Sequence, residues 1–205
     1  MTPQPSTRDR LIESAQRLLW DVGYDAMSPR LVIQDSGVGQ GSLYHHFKGK
    51  KELALAALDG LAEDLIQKAA ACLSAPDQPP LARVEAWLTM PRYALKGCRM
   101  GRLTPEQALD DGTIIPPIAH YFTAVESALT KTLTEAQSTG TLNPTLNAAH
   151  LAKTLIATVQ GGYVLSRAHM DPQAMNDAIS GTRSLLALAR LGGGGGGGGG
   201  GYGPP

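Results

Sequence analysis

The stretch Ser28-Pro29-Arg30-Leu31-Val32-Ile33-Gln34-Asp35-Ser36-Gly37-Val38-Gly39-Gln40-Gly41-Ser42-Leu43-Tyr44-His45-His46-Phe47-Lys48-Gly49-Lys50 decides how this chain is read. Ser28 is a good N-cap, and Pro29 stands at the first helical position, where its missing N–H costs nothing. A short helix is therefore expected up to Gly37. There the chain must turn sharply, and glycine alone takes a positive φ cheaply. Val38 is the apolar plug beneath that turn. A second short helix runs from about Gln40 to Phe47, with Leu43 and Phe47, at i and i+4, facing inward. Two short helices about a glycine turn, ending in an aromatic residue and a group of lysines, are the sequence form of a helix-turn-helix.

The inward pair leaves Gln40, Gly41, Ser42, Tyr44, His45 and His46 facing outward. Gln40 can read an adenine edge with two hydrogen bonds, and Ser42 can bond a base or a phosphate. Gly41 carries no side chain and lets the helix start approach a groove closely. Tyr44 and Lys50 are placed to hold phosphates, contacts that set register without reading sequence. Ser28, Arg30 and Lys48 complete the candidate DNA-facing set. Adjacent residues on a helix point about 100° apart, so His45 and His46 do not form a metal pair, and no metal or cofactor is expected.

Charge does not advertise this activity. The chain carries 18 basic and 18 acidic side chains, so its formal net charge is zero. Over the first 51 residues, Arg8, Arg10, Arg17, Arg30, Lys48, Lys50 and Lys51 oppose Asp9, Glu13, Asp21, Asp25 and Asp35. That small local excess suits a head of modest affinity that doubles its grip by dimerising. No apolar run approaches a bilayer span, and Met1 to Thr7 shows no leader. Cys72 and Cys98 make neither a disulfide framework nor a metal pair. The reading is cytoplasmic, with no membrane.

Outward from the turn, the chain reads as all-α, with about nine helices. Leu11, Ile12, Ala15, Leu18, Leu19 and Val22 give helical spacing between a Ser6 or Thr7 cap and Gly23. Lys50 to Ala71 forms a fourth helix. A fifth spans about Leu81 to Lys96, with Pro91 kinking or breaking it near Met90. Gly97 to Pro117 holds at most short helices, because Gly101, Pro105, Gly112, Pro116 and Pro117 punctuate it. Long helices follow over Ile118 to Ser138, Asn147 to His169, and Asp171 to about Arg190. The expected division is a DNA-binding head over 1–51, a helical body over 52–190, and a glycine-rich tail over 191–205 that cannot pack.

Residues 8–53 resemble the TetR family of bacterial transcriptional regulators. The matching positions are Gly23-Tyr24, Gly37-Val38, Gly41-Ser42-Leu43-Tyr44, Phe47, Lys50 and Leu53. Departures are Val32-Ile33 for the usual Ile-Ala, Ser36 for alanine, and Gly39 for the common capping serine, which weakens the start of the second short helix. The resemblance implies a homodimeric repressor of palindromic operator DNA, paired through its last two helices and released by a small-molecule effector. It places the effector among the fifth to eighth helices.

Candidate lining residues for that effector are Trp87, Met90, Tyr93, Cys98, Met100, Tyr121, Phe122 and Tyr163. An aromatic and methionine set suits a small, mostly apolar molecule. Gln160-Gly161-Gly162-Tyr163 puts small residues in mid-helix, which points to a close helix approach, across the dimer or within one subunit. Lys96-Gly97-Cys98-Arg99 surrounds a thiol with cations, and a Gly-Cys here also resembles the electrophile-sensing, N-ethylmaleimide-repressor-like branch. Covalent modification of Cys98 is thus an alternative switch. Two rival classes are an interaction module with a degenerate head and an enzyme using Cys98 with His120 or His169. The enzyme lacks an evident third orienting residue, so no catalytic residue is expected.

Overall fold

Helix α1 (Thr7–Asp21) opens with a reciprocal cap: the Asp9 amide donates to the Ser6 hydroxyl, and the Asp9 carboxylate accepts from the Ser6 amide, both at 3.1 Å. The computed structural model describes residues 5–110 and 112–191. Among these it has ten α-helices, one 3-10 turn and no strand. After α1 come a short α2 (Gly23–Ala26), α3 (Pro29–Ser36) and α4 (Gln40–His46). The extra turn α2 was not expected, and it raises the helix total above nine.

The two short helices form for the reasons read from sequence. The Ser28 hydroxyl accepts the Leu31 amide at 3.3 Å, and Gly37 closes α3 with φ 65°. The Ser36 hydroxyl accepts the Val38 amide at 3.2 Å, and Arg10 donates to the Ser36 carbonyl at 2.7 Å, so the turn is tied to α1. Gly39 leaves α4 without a side-chain cap. Val38, Leu43 and Phe47 are buried against Leu11, Ala15 and Leu19 of α1.

Helix α5 (Lys50–Leu73) has 24 residues, about 36 Å of helix. Its first half packs on α1, and its second half on α6 (Pro80–Thr89) and α8 (Ile115–Ser138). Two apolar cores result. One joins the head to Leu53–Ala62 and to Cys98, Met100, Leu103, Ala108, Ile114 and Ile118. The other lies among the end of α5 with α6, α8, α9 (Ala148–His169) and α10 (Gln173–Leu188). No gap in packing falls at residue 51, because α5 belongs to both cores.

Prolines set two helix boundaries. Of the two outcomes expected at Pro91, the fifth helix breaks: α6 stops at Thr89, and Met90 is extended with ψ 144° ahead of Pro91. Arg92 turns back to donate to the carbonyls of Trp87, Leu88 and Met90 at 2.7, 2.6 and 2.9 Å, capping the carbonyls that the break leaves open. Pro116 and Pro117 do not interrupt. They sit in the first turn of α8, where no intrahelical amide bond is lost. Between these helices lie the 3-10 turn Gly101–Leu103 and α7 (Gln107–Asp110).

Gly162 packs within the subunit. A Cβ built there would lie 2.6 Å from the Met175 sulfur of α10, whereas one on Gly161 meets nothing within 4 Å. The Leu191 amide, expected in the tail, instead donates to the Thr141 carbonyl at 3.3 Å. The rest of the tail, 192–205, lies outside the described residues.

Candidate functional site

The head presents one exposed edge. Gln40, Gly41, Ser42, Tyr44 and His45 are exposed along α4, with Arg30 and Lys48 beside them. His46 is half-buried, its ring 6.4 Å from that of Phe47. Two expected contacts have structural partners. The Ser28 hydroxyl caps α3, and the Lys50 ammonium donates to the Asp25 carbonyl at 3.1 Å while lying 4.3 Å over the Tyr24 ring. Lys50 therefore ties α5 to α2. Arg8, Arg10 and Arg17 are exposed but have partners within the head: the Phe47 ring, the Ser36 carbonyl and Asp35.

The second feature is a cavity of about 240 Å³ between α5, α6, α8, α9 and the loop after α6. Trp87, Met90, Tyr93, Cys98, Tyr121, Phe122 and Tyr163 all line it. Met100 does not. The tight turn after Cys98 carries Met100 inward, and it is fully buried in the head-side core with Leu103 and Ile114. Sequence reasoning missed Trp20, Lys68, Arg92, Arg99 and Gln160, which line the cavity too. Trp20 had a signal: it is a bulky aromatic off the inward stripe of Leu11, Ala15 and Leu19. The arginines gave none, because their position depends on the break at Pro91.

Six of the ten aromatic side chains of the chain, both tryptophans included, line this one cavity. Burial pushes the Tyr163 phenol up to about 12 and raises that of Tyr121, so both stay neutral donors near pH 7. Burial also holds the Arg92 and Arg99 guanidinium groups below their ordinary values. Cys98 is buried, its sulfur accepting the Gly101 amide at 3.3 Å. It shares a wall with an outer hollow of about 600 Å³. Neither histidine proposed as its base lines either space: His120 faces Glu63 at 3.0 Å, and His169 is exposed at the end of α9. Among the described residues no group of His, Cys, Asp and Glu could hold a metal ion.

Head and cavity are directly joined. Trp20 belongs to α1 yet lines the cavity, and its indole N–H donates to the Gly97 carbonyl at 3.1 Å. Lys96 pairs with Asp21 at 2.5 Å. Farther along, the Asp25 amide donates to Glu106 at 3.1 Å, and the Gln107 amide donates to Asp25 at 3.3 Å. The segment from Lys96 to Gln107 thus grips α1 and α2 through four contacts.

Comparison with known proteins agrees with this layout. The profile "Bacterial regulatory proteins, tetR family" matches residues 11–57, and "Tetracyclin repressor-like, C-terminal domain" matches residues 81–182. The HTH-type transcriptional repressor ComR of Escherichia coli is 26% identical over 175 residues, 80% of this chain and 81% of ComR. A TetR transcriptional regulator of Chloroflexus aurantiacus superposes with a TM-score of 0.82 at 24% identity, covering 91% of this chain and 97% of that one. The reduced form of Escherichia coli NemR superposes at 0.77 and 17% identity, covering 87% and 95%. Helix-turn-helix geometry, the all-α body and two profiles that together span most of the chain make it a member of the TetR family, a DNA-binding transcriptional repressor and not an enzyme.

Proposed function

We propose that this repressor binds a palindromic operator as a homodimer and is released when a small molecule enters the aromatic cavity. The observation that carries the effector half is the gathering of six aromatic side chains, Trp20 of the head among them, around one cavity. A ligand touching Trp20, Gly97 and Arg99 bears on the contacts that fix α1 against the body. It shifts head spacing only as far as its affinity differs between the two arrangements. The pivot is then the loop from Lys96 to Gln107 acting with α5, not α5 alone.

The dimer half rests on α9 and α10. Val164, Leu185 and Leu188 are 67%, 68% and 83% exposed, with Leu165 and Gly161 beside them. Exposed apolar side chains of this kind on the last two helices suit an interface, and a two-fold axis through it would set two α4 helices for successive major grooves. No helix among the described residues is long and apolar enough to cross a membrane. The proposed setting is the cytoplasm and, with operator bound, the nucleoid.

Footprinting on DNA upstream of its own gene tests the reading. Protection should cover two half-sites related by a dyad. Within such a site, Gln40→Ala should cost about 1–3 kcal/mol and relax preference at one base pair. Tyr44→Phe, which loses a phosphate contact, should weaken all sequences alike. Absence of protection at low salt would leave a folded interaction module in place of a repressor.

A further inference from the structure

We propose that the effector is an organic anion: a small flat apolar body bearing an acidic group that Arg99 receives. This deepens the effector reading and rests on it. The inner cavity is lined by Lys68, Arg92 and Arg99, and the adjoining hollow by Arg102 and Arg167; no Asp or Glu lines either space. In a chain of zero net charge, that concentration of one sign is a local property of the site.

The arginines are not equivalent. Arg92 is spent on three backbone carbonyls at the end of α6. Arg99 instead stacks its guanidinium 5.1 Å over the Trp20 ring, and its Nε is buried with no hydrogen-bond partner. The carboxylates that act on it, Asp64 and Asp21, lie outside the cavity wall, and Asp21 is paired with Lys96. A buried guanidinium N–H without an acceptor carries a desolvation cost that an incoming carboxylate removes by a charge-assisted hydrogen bond.

An aromatic cavity can also take cations through their attraction to ring faces. On the two tryptophans that attraction is already used. Trp20 carries Lys96 at 3.9 Å as well as Arg99, and Trp87 carries Arg92 at 5.4 Å. A cationic ligand would meet like charge with no carboxylate to receive it. A neutral apolar ligand would fill the space and leave the Arg99 Nε unpaired.

Both tryptophans of the chain line the cavity, so intrinsic fluorescence reports its occupancy. The full chain is titrated with phenylacetate, its neutral amide phenylacetamide, and the cation phenethylammonium, three heads on one ring. Phenylacetate should bind about tenfold tighter than the amide, and the ammonium weakest. In Arg99→Gln the preference for the acid over the amide should disappear. The ordering in the wild-type chain decides the matter even where Arg99→Gln folds poorly. Amide or ammonium binding as well as the acid overturns the anion and leaves the cavity standing as a binding site. No fluorescence response to any of the three at millimolar concentration overturns both.

Discussion

The double substitution Leu185→Glu, Leu188→Glu should convert the protein into a monomer that no longer holds its operator. Both side chains are about two-thirds exposed or more, and they lie near one another toward the end of α10. They contribute nothing to the buried core of the subunit, so helicity should be retained. Four carboxylates brought together across a two-fold axis would face one another in the interface that their leucines otherwise fill. Once separated, each head must find its half-site alone. Loss of the tether between two modest binding modules lowers operator affinity by roughly 100-fold or more. Size-exclusion chromatography with light scattering reads the first effect, and a gel-shift titration the second. A variant that remains dimeric would place the interface away from α9 and α10.

What the sequence exposed was local chemistry. Ser28 with Pro29, Gly37 with Val38, and the Leu43/Phe47 pair each act within a few residues, and the structure places all of them as read. Capping and turn formation are decided by neighbours in the chain, so a short window contains their cause. The cavity is different. Trp20 comes from α1, Lys68 from α5, Tyr121 from α8 and Tyr163 from α9, and contacts separated by that much chain leave no periodic trace. Aromatic and methionine character identified part of the lining, because large apolar side chains gather wherever a helical body closes. It failed at Met100, whose neighbour Cys98 faces the cavity. The backbone turn at Arg99 and Met100 separates the two environments, and composition carries no sign of it. It also failed for Arg99. A cation beside a helix break reads as surface until the break is known to fold it back over Trp20.

The packing of the head also reaches beyond its own fifty residues. A reader of about fifty residues looks self-contained, yet Leu103, Met100 and Ile114 complete its core from beyond residue 97. That shared core makes mechanical sense for a switch. A head with its own closed core would ignore a ligand in the cavity, whereas a head that borrows part of its core from the cavity loop must answer to that loop.

The paired glycines of α9 give the second large effect, and they separate packing within a subunit from packing between subunits. Gly162→Leu should destabilise the fold by about 2–3 kcal/mol, because its Cβ alone would sit 2.6 Å from the Met175 sulfur and 3.5 Å from the Met175 Cα. Met175 is itself buried, at 3% exposure, so it has little room to swing away. For a chain of this length the melting temperature should fall by roughly 5–10 °C. Gly161→Ala should do the opposite. A Cβ there meets no neighbour within 4 Å, and alanine improves a helix interior by up to about 1 kcal/mol over glycine. Both substitutions are best made in the Leu185→Glu, Leu188→Glu background, where any contribution from a second subunit is gone. If Gly162→Leu melts there at the temperature of its parent, α9 and α10 do not need the close approach, and the small residue must serve the partner chain instead. If it melts well below while Gly161→Ala does not, Gly162 holds α9 against α10 inside one subunit, and only Gly161 is free to face the second.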